Sequence, residues 1–336
     1  MTSKIAIIST QVFEVPPKGY GGCERVVYYK CLGFKELGYK VTLFAPKGSK
    51  VDGVKVVECC EPGLNNPEQE AFEIYKDKLD DFDIIYDHTW QKWAFYRLED
   101  LRNKIINILH GPEPFNSIPF DFFNCVCPSK FHAELTMGRY GILAKYVYHG
   151  FPIDDFKPCY EKEDYFLFAS RWSPYKGPHL FIEWCKKYKV KGVMIGDMDF
   201  VEDKKYVERC LKKANKYVEV RGNVDEKERN ELMAKAKALV SPLLPPYWEI
   251  FGMCLVEAQL FATPVLVTDR GAPREVVHHG VSGYVAKDTF ELEKIFKKVA
   301  ENKLTFDPKA CRMHAIQFSH IRMCRKYLQV AKEIPW

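Results

Sequence analysis

The sequence lacks any long apolar run. Its opening stretch, MTSKIAIIST, holds four consecutive apolar residues before polar groups follow. A secretion signal has a longer apolar region, and a helix that crosses a bilayer needs about 20 apolar residues. Neither feature is predicted, so we expect a soluble, cytoplasmic protein.

The cysteine spacing lacks the C-x-x-C pattern that structural zinc sites and redox loops use. Twelve cysteines are present, but they are scattered along the chain. We expect free thiols in a reducing compartment. Asp197 and Asp199 lie near a predicted strand end, but they do not form a compelling metal-binding pair. No metal and no other cofactor is therefore expected.

The sequence also lacks the G-x-G-x-x-G fingerprint of dinucleotide-binding proteins. In its place, the first predicted strand is followed by PPKGYGGCERVV, in which Gly21 and Gly22 precede a helical run. Glycines allow a ligand to approach the backbone closely, and the start of a helix favours negative charge. The pattern predicts a phosphate-facing loop at Gly21 and Gly22, although a purely structural turn has the same signature.

Charge is unevenly distributed. Residues 1–160 carry 19 Lys and Arg against 21 Asp and Glu, whereas residues 161–336 carry 31 against 24. A positive second half suits an anionic ligand such as a nucleotide diphosphate, while lysine-rich runs such as KKYVERCLKKANK are also typical of a solvated helix face. Aromatic and basic residues are not interleaved in the way that is typical of RNA-binding sheets, so nucleic-acid binding is not predicted.

Short apolar runs alternate with longer segments of helical period, which is typical of parallel sheets covered by helices. We predict an α/β fold with two Rossmann-like parallel-sheet domains that face each other across a cleft. The predicted domains are 1–150 and 151–318, and 319–336 is a terminal helix that packs back on the first domain. The predicted strands of the first half are KIAIIS, VTLFA, VKVVE, DIIYD, KIINIL, NCVC and KYVYH, and those of the second are YFLFAS, KGVMIG, YVEVRG, KALVSP and PVLVTD.

Two cations follow the first strand of the second series. Arg171 and Lys176 lie in SRWSPYKGPHL, directly after YFLFAS. Ligands of open α/β sheets bind at the carboxyl ends of strands, where these cations can neutralise a diphosphate and stabilise it as a leaving group. Surface cations without a ligand remain the alternative.

The segment PPYWEIFGMCLVEAQLFATPVLVTDRGAPREVV contains two carboxylates around a predicted helix from Phe251 to Phe261. Glu249 precedes the helix and Glu257 lies two turns inside it, at most about 12 Å away by helix rise. The amides of residues 251–253 are expected to point toward an anion. A glutamate near a helix start is also favoured without any ligand.

Taken together, several motifs in order resemble glycosyltransferase family 4, the retaining, nucleotide-sugar-dependent enzymes of GT-B fold. The resemblance extends from about residue 5 to 290. The motifs are GYGGCERVV, DHTW, LHG, SRWSPYKG, VRGNV, EIFGMCLVEA, TPVLVTDRGAPREVV and VSGYV.

The resemblance implies a role for each site residue. Glu249 would hold hydroxyls of the donor sugar and Glu257 the nucleotide ribose, while Arg171 and Lys176 would bind the diphosphate. His110 in LHG resembles a histidine at the acceptor side of the cleft. The remaining donor-binding residues are predicted in three places: the phosphate loop at Gly21 and Gly22, the nucleobase wall at Gly222, and the helix start at Ile250, Phe251, Gly252 and Met253.

The predicted function is transfer of a sugar, with retention and without a metal, from a nucleotide diphosphate sugar to a hydroxyl acceptor. Ile250 stands where the family usually has proline, so the identity of the donor sugar is not predicted. The acceptor (a glycan, a lipid or a small molecule), a peripheral membrane contact and the oligomeric state also stay open. Alternatives are a nucleotide-sugar epimerase of the same fold, an NAD-dependent oxidoreductase and a non-catalytic sugar-nucleotide sensor.

Overall fold

The computed structural model describes residues 3–63, 68–111, 123–199, 201 and 203–333. The chain forms two units. The first unit consists of Met1–Pro152 together with Phe318–Trp336, and the second is Ile153–Gln317. Of the terminal segment predicted from the sequence, residues 334–336 lie outside the described residues.

The first unit is built around a seven-stranded parallel sheet. Its strands are β1 Lys4–Ile8, β2 Lys40–Ala45, β3 Lys55–Glu58, β4 Ile84–Asp87, β5 Ile105–Ile108, β6 Cys125–Cys127 and β7 Ala144–Tyr146. Their order is β3-β2-β1-β4-β5-β6-β7. The direction of winding reverses between β1 and β4, which is the arrangement of a Rossmann-like sheet.

Helices cover both faces of this sheet. They are α1 Gly22–Glu36, α2 Glu68–Tyr75, α3 Trp93–Arg97, α4 Lys130–Tyr140 and, from the end of the chain, α12 His320–Glu333. Helix α12 lies against α1 so closely that a Cβ atom at Gly33 would be 2.6 Å from Cys324 Sγ. Among the described residues, no helix combines the length and the apolar character that crossing a bilayer would require.

The alternation of strand side chains explains why this sheet is buried on both faces. Ile5 and Ile7 of β1 belong to one apolar cluster, whereas Ala6 and Ile8 belong to another on the opposite face. Successive strand residues point to opposite faces, so an unbroken apolar run requires a cover on each side. Burying each large aliphatic side chain contributes about 1.5–3 kcal/mol.

The second unit repeats the plan with six parallel strands. The strands are β8 Tyr165–Ala169, β9 Lys191–Ile195, β10 Val218–Gly222, β11 Ala238–Ser241, β12 Val265–Thr268 and β13 Gly283–Ala286. The helices are α5 Pro178–Tyr188, α6 Lys204–Lys213, α7 Glu226–Lys235, α8 Met253–Leu260, α9 Pro273–Val276, α10 Thr289–Ala300 and α11 Pro308–Ala315. The order β10-β9-β8-β11-β12-β13 places the switch point between β8 and β11.

The prediction of two Rossmann-like parallel sheets is confirmed. Several strand bounds differ by one residue, and three differences are larger. Strand β7 begins one residue earlier and ends sooner than the predicted 145–149, and β13 was absent from the predicted strands. Helix α8 begins at Met253 rather than Phe251, because Gly252 before it has a positive φ of 86°, which is incompatible with a right-handed helix.

Candidate functional site

The switch point of the second sheet brings two predicted site residues together. Lys176 follows β8, and Glu249 follows β11. These strands are neighbours, and at a switch point the adjoining loops diverge and leave a crevice at the carboxyl ends of the strands. Lys176 Nζ lies 2.7 Å from Glu249 Oε2, and both residues are only 9% exposed. Two residues separated by 73 positions therefore form one buried ion pair.

Tyr247 completes this group. Lys176 Nζ donates to Tyr247 Oη at 2.9 Å, and the Tyr247 hydroxyl donates to Glu249 Oε1 at 3.3 Å. Burial alone would lower the pKa of Lys176, but the charge of Glu249 and the hydrogen bonds to Glu249 and Tyr247 outweigh it and raise this pKa. Lys176 is consequently a permanent cation at neutral pH.

The second predicted cation, Arg171, reaches the same group through aromatic residues. Its Nη2 donates to the Tyr175 hydroxyl at 2.9 Å. The Tyr175 ring stacks on that of Tyr247, with 4.8 Å between ring centroids and an interplanar angle of 11°. Lys176 Nζ also lies 4.1 Å from the centre of the Tyr247 ring, a cation–π distance. Both predicted cations thus contact one tyrosine stack.

Glycine conformations and backbone pairing set the positions of Lys176 and Glu249. Gly177 has φ of 71°, and a Cβ atom there would lie 2.3 Å from the carbonyl oxygen of Pro242. The loop after β8 can therefore pack on the loop after β11 only with glycine at this position. Glu249 is held by its backbone, because Glu249 N donates to Arg270 O and Ala272 N donates to Glu249 O, each at 2.8 Å.

Glu257 lies within α8 and is 3% exposed. Its Oε1 is 3.6 Å from Arg229 Nη2 of α7, an ion-pair distance that is too long for a hydrogen bond. Within the described part of the chain, this oxygen accepts no hydrogen bond. A buried carboxylate oxygen without a donor is costly unless a ligand supplies one.

The start of α8 and the end of β10 contribute the other predicted donor-side residues. Ile250, Phe251 and Gly252 precede α8, and Met253 is its first residue. Gly222 ends β10 with φ of 65°, and a Cβ atom there would lie 2.5 Å from Met198 Cε. Gly222 and the start of α8 both lie at the edge of the sheet where the parallel strands have their carboxyl ends.

In the first unit, Gly21 and Gly22 lie where α1 begins. Gly21 has φ of 150°, and a Cβ atom would lie 2.7 Å from Pro17 Cβ, whereas nothing lies within 4 Å of one at Gly22. The helix start already has a negative side chain, Glu24, which is 3% exposed and accepts a hydrogen bond from Thr10 Oγ1. Burial raises the pKa of Glu24.

His110 follows β5 and is joined to His88, which follows β4. His88 Nδ1 and His110 Nε2 are 2.8 Å apart, and their rings stack with 5.0 Å between centroids. Burial is the largest cause that keeps the pKa of both rings well below the usual value. Both imidazoles are therefore neutral at pH 7.

Comparison with known proteins finds a family that matches the second unit. Residues 152–313, just under half of the chain, match the family model described as glycosyl transferases group 1. The second unit matches this family. The matched range contains Arg171, Lys176, Gly222, Glu249 and Glu257.

Curated relatives are similar to the chain over different lengths. The YtcC protein of Bacillus subtilis, whose name marks it as a glycosyltransferase candidate, is 22% identical over 98% of this chain and 90% of its own length. Sucrose synthase 2 of Pisum sativum is 42% identical over 40 residues, and the chain spans only 5% of that protein. The chain spans 31% of a Klebsiella pneumoniae protein of the cps region, at 30% identity.

Solved structures with similarity across nearly the whole chain share its fold. Sucrose-phosphate synthase from Thermosynechococcus elongatus has a TM-score of 0.80 at 16% identity, and 98% of each chain is covered. Anabaena HepE in complex with UDP and glucose has a TM-score of 0.75 at 19% identity, covering 98% of this chain and 100% of HepE. AviGT4, a glycosyltransferase involved in avilamycin A biosynthesis, has a TM-score of 0.75 at 21% identity, covering 99% and 98%. The fold is accordingly of GT-B type.

Sequence reasoning missed several residues that the structure adds to these sites. Arg229 is the ionic partner of Glu257, yet it lies in a charged helix with no distinguishing motif. Lys30, which contacts His88 at 2.8 Å, has the spacing of an ordinary helix residue. Tyr175 and Tyr247 lie in the same two loops as Lys176 and Glu249. Among the described residues, no group of three or more His, Cys, Asp or Glu side chains could hold a metal ion.

Proposed function

We propose that the chain is a retaining glycosyltransferase that moves a sugar from a nucleotide diphosphate sugar to a hydroxyl acceptor. The buried contact of Lys176 with Glu249 at the switch point between β8 and β11 is the observation that carries the proposal. It combines a fixed cation with a carboxylate, which are the two groups needed to hold a diphosphate and to read sugar hydroxyls. Support also comes from HepE, which was solved in complex with UDP and with UDP-glucose.

In this proposal Lys176 binds the diphosphate. An ammonium group has three N–H donors. Two of those on Lys176 are directed at Tyr247 and Glu249, and the third is donated to a phosphate oxygen. Arg171, placed by Tyr175, adds a second positive charge. Negative charge grows on the diphosphate as the sugar leaves, so these cations stabilise the transition state more than the bound donor.

The two glutamates recognise hydroxyl groups. Among the described residues, Glu249 Oε1 accepts a long hydrogen bond of 3.3 Å from Tyr247, so this oxygen retains the capacity to accept one from a sugar hydroxyl. Glu257 Oε1 is buried without a donor among the described residues, which suits a ribose hydroxyl. The acceptor hydroxyl attacks the face from which the diphosphate departs, and its proton passes to a departing phosphate oxygen. No metal is required in this scheme, because Arg171 and Lys176 supply the positive charge.

The experiment is a thermal-shift series with nucleotide sugars on the unmodified chain, Lys176→Met and a matched control, Lys187→Met. Lys187 forms an analogous group on the surface, since its Nζ lies 2.7 Å from Glu293 Oε1, which also accepts from the Tyr188 hydroxyl at 2.9 Å. A donor present at a hundred times its dissociation constant adds about 2.7 kcal/mol to the free energy of unfolding.

We expect that stabilisation in the unmodified chain and in Lys187→Met, and its loss in Lys176→Met. A nucleotide sugar that stabilises Lys176→Met as much as the unmodified chain would contradict the proposed diphosphate site. Release of free nucleoside diphosphate with formation of a glycosylated product, in which the anomeric configuration of the donor is kept, would separate the transferase from an epimerase or a sensor.

A further inference from the structure

A buried row of three nitrogen-bearing side chains leads from α1 to His110. Lys30 of α1 and His88 are both 0% exposed. Lys30 Nζ is 2.8 Å from His88 Nε2, and His88 Nδ1 is 2.8 Å from His110 Nε2. Each of the two short contacts joins nitrogen to nitrogen, so in each one atom must carry the hydrogen and the other must accept it.

The state of one contact therefore dictates the state of the next. A neutral imidazole carries one proton, on either Nδ1 or Nε2. If His88 donates through Nε2, its Nδ1 must accept, and His110 must then donate through Nε2. If His88 instead accepts at Nε2, the order is reversed and His110 carries its proton on Nδ1. Whether Lys30 Nζ donates to His88 or accepts from it therefore determines which of the two states forms.

Lys30 is fully buried, and no carboxylate among the described residues stabilises its charge, which fits a neutral amine that accepts from His88. Its Nζ lies 3.7 Å from the centre of the Tyr327 ring and 5.0 Å from that of Tyr86. The two N–H groups of an amine can face these two rings while its lone pair accepts the proton of His88 Nε2. Burial lowers the pKa of Lys30 well below its ordinary value, which favours the amine.

We propose that Lys30 is a positioning residue that sets, through His88, which ring nitrogen of His110 carries the proton. In the proposed arrangement His110 is protonated on Nε2, and its Nδ1 lone pair is left to accept a hydrogen bond from a substrate hydroxyl. This inference deepens the proposed function and rests on it for the catalytic part only, since the proton position is a property of the protein alone.

The test is the ¹⁵N spectrum of the full chain with labelled histidine, because protonated and bare ring nitrogens differ widely in chemical shift. The chain has nine histidines, so His110 is assigned by the signals that disappear in His110→Gln. We expect His110 to be protonated on Nε2. Protonation on Nδ1 in the unmodified chain would overturn the inference without the need for any variant at Lys30.

Lys30→Met removes the acceptor and should reverse the proton positions, since His88 then keeps its proton where His110 can accept it. Lys30→Gln offers an amide oxygen to His88 and should restore the original state. Lys92→Met is the matched control, because Lys92 is 1% exposed but donates to the carbonyls of Asp87 and Ile108 rather than to a histidine. A folded Lys30→Met with unchanged His110 signals would contradict the proposal.

Kinetics then separate a positioning role from a structural one. Lys30→Met should lower kcat by about 10- to 100-fold, the usual effect of losing a partner that orients a functional imidazole. On a His110→Gln background the same change should cost nothing further, because it acts only through His110. An additional loss on that background would instead indicate general damage. Failure of the unmodified chain to bind any nucleotide sugar would contradict the proposed function, but it would leave the spectroscopic result intact.

Discussion

At the scale of single residues, the central feature is a carboxylate and a cation that neutralise each other before any ligand binds. Glu249 lies 2.7 Å from Lys176, and both are largely buried. Removing one member of such a pair leaves the other charge without its partner in a poorly solvated place. Each member is therefore expected to affect both stability and ligand recognition.

Glu249→Ala should abolish discrimination among donor sugars while some affinity for the nucleoside diphosphate remains. A hydrogen bond to a charged group contributes about 1.5–3 kcal/mol, which corresponds to roughly a 10- to 100-fold difference in affinity. Dissociation constants for several sugars carried on one nucleotide measure this. Glu293→Ala is the control, since Glu293 forms the comparable surface pair with Lys187. Unchanged sugar preference in Glu249→Ala would remove Glu249 from the sugar site.

The sequence was sufficient to propose Lys176 and Glu249 as site residues, because both follow predicted strands whose carboxyl ends lie at the same edge of one sheet. It could not show that the two side chains meet, since 73 positions separate them. The burial of Lys30 was equally hidden. Lysine usually lies on a solvated helix face, but the packing of α12 on α1 helps to enclose this one, with Cys324 Sγ 3.5 Å from the Lys30 carbonyl oxygen.

At the scale of elements, the loops after β8 and β11 hold the site through one glycine. Gly177 follows the turn Pro174–Lys176 and directly precedes α5. Its positive φ and its closeness to Pro242 both require that a Cβ atom be absent. A change here should therefore be transmitted to Lys176, the residue that precedes it.

Gly177→Ala should reduce both the free energy of unfolding and the stabilisation by a nucleotide sugar. We expect a loss of stability of about 1–3 kcal/mol beyond that of Gly48→Ala, because overpacking adds to backbone strain. Gly48 is a suitable control, since it has φ of 84° but nothing lies within 4 Å of an added Cβ atom. Chemical denaturation with and without donor measures both quantities. Equal losses in the two variants would show that the Pro242 contact is unimportant.

Strand positions were predictable because parallel, doubly covered strands are continuous apolar runs. Helix ends were less predictable from the sequence. The predicted start of α8 at Phe251 was wrong, because the left-handed conformation of Gly252 delays the helix until Met253. Strand β13, Gly283–Ala286, is four residues long, with Gly283 and Tyr284 interrupting the apolar pattern, and was missed.

At the scale of the whole molecule, the two Rossmann-like sheets and the match of residues 152–313 to the group 1 glycosyl transferases agree with the resemblance seen in the motifs. Arg171, Lys176, Glu249 and Glu257 all lie in the second unit. We therefore propose that the donor binds to this unit, which is where the sequence motifs also predict it.

The most direct test of that role is a crystal structure of the chain with UDP, the nucleotide present in the HepE complexes. The account predicts a diphosphate oxygen at about 2.7–2.9 Å from Lys176 Nζ, the distance of a charge-assisted hydrogen bond. Ribose hydroxyl density beside Glu257 Oε1 should accompany it. A nucleotide bound away from the loops after β8 and β11 would contradict the account.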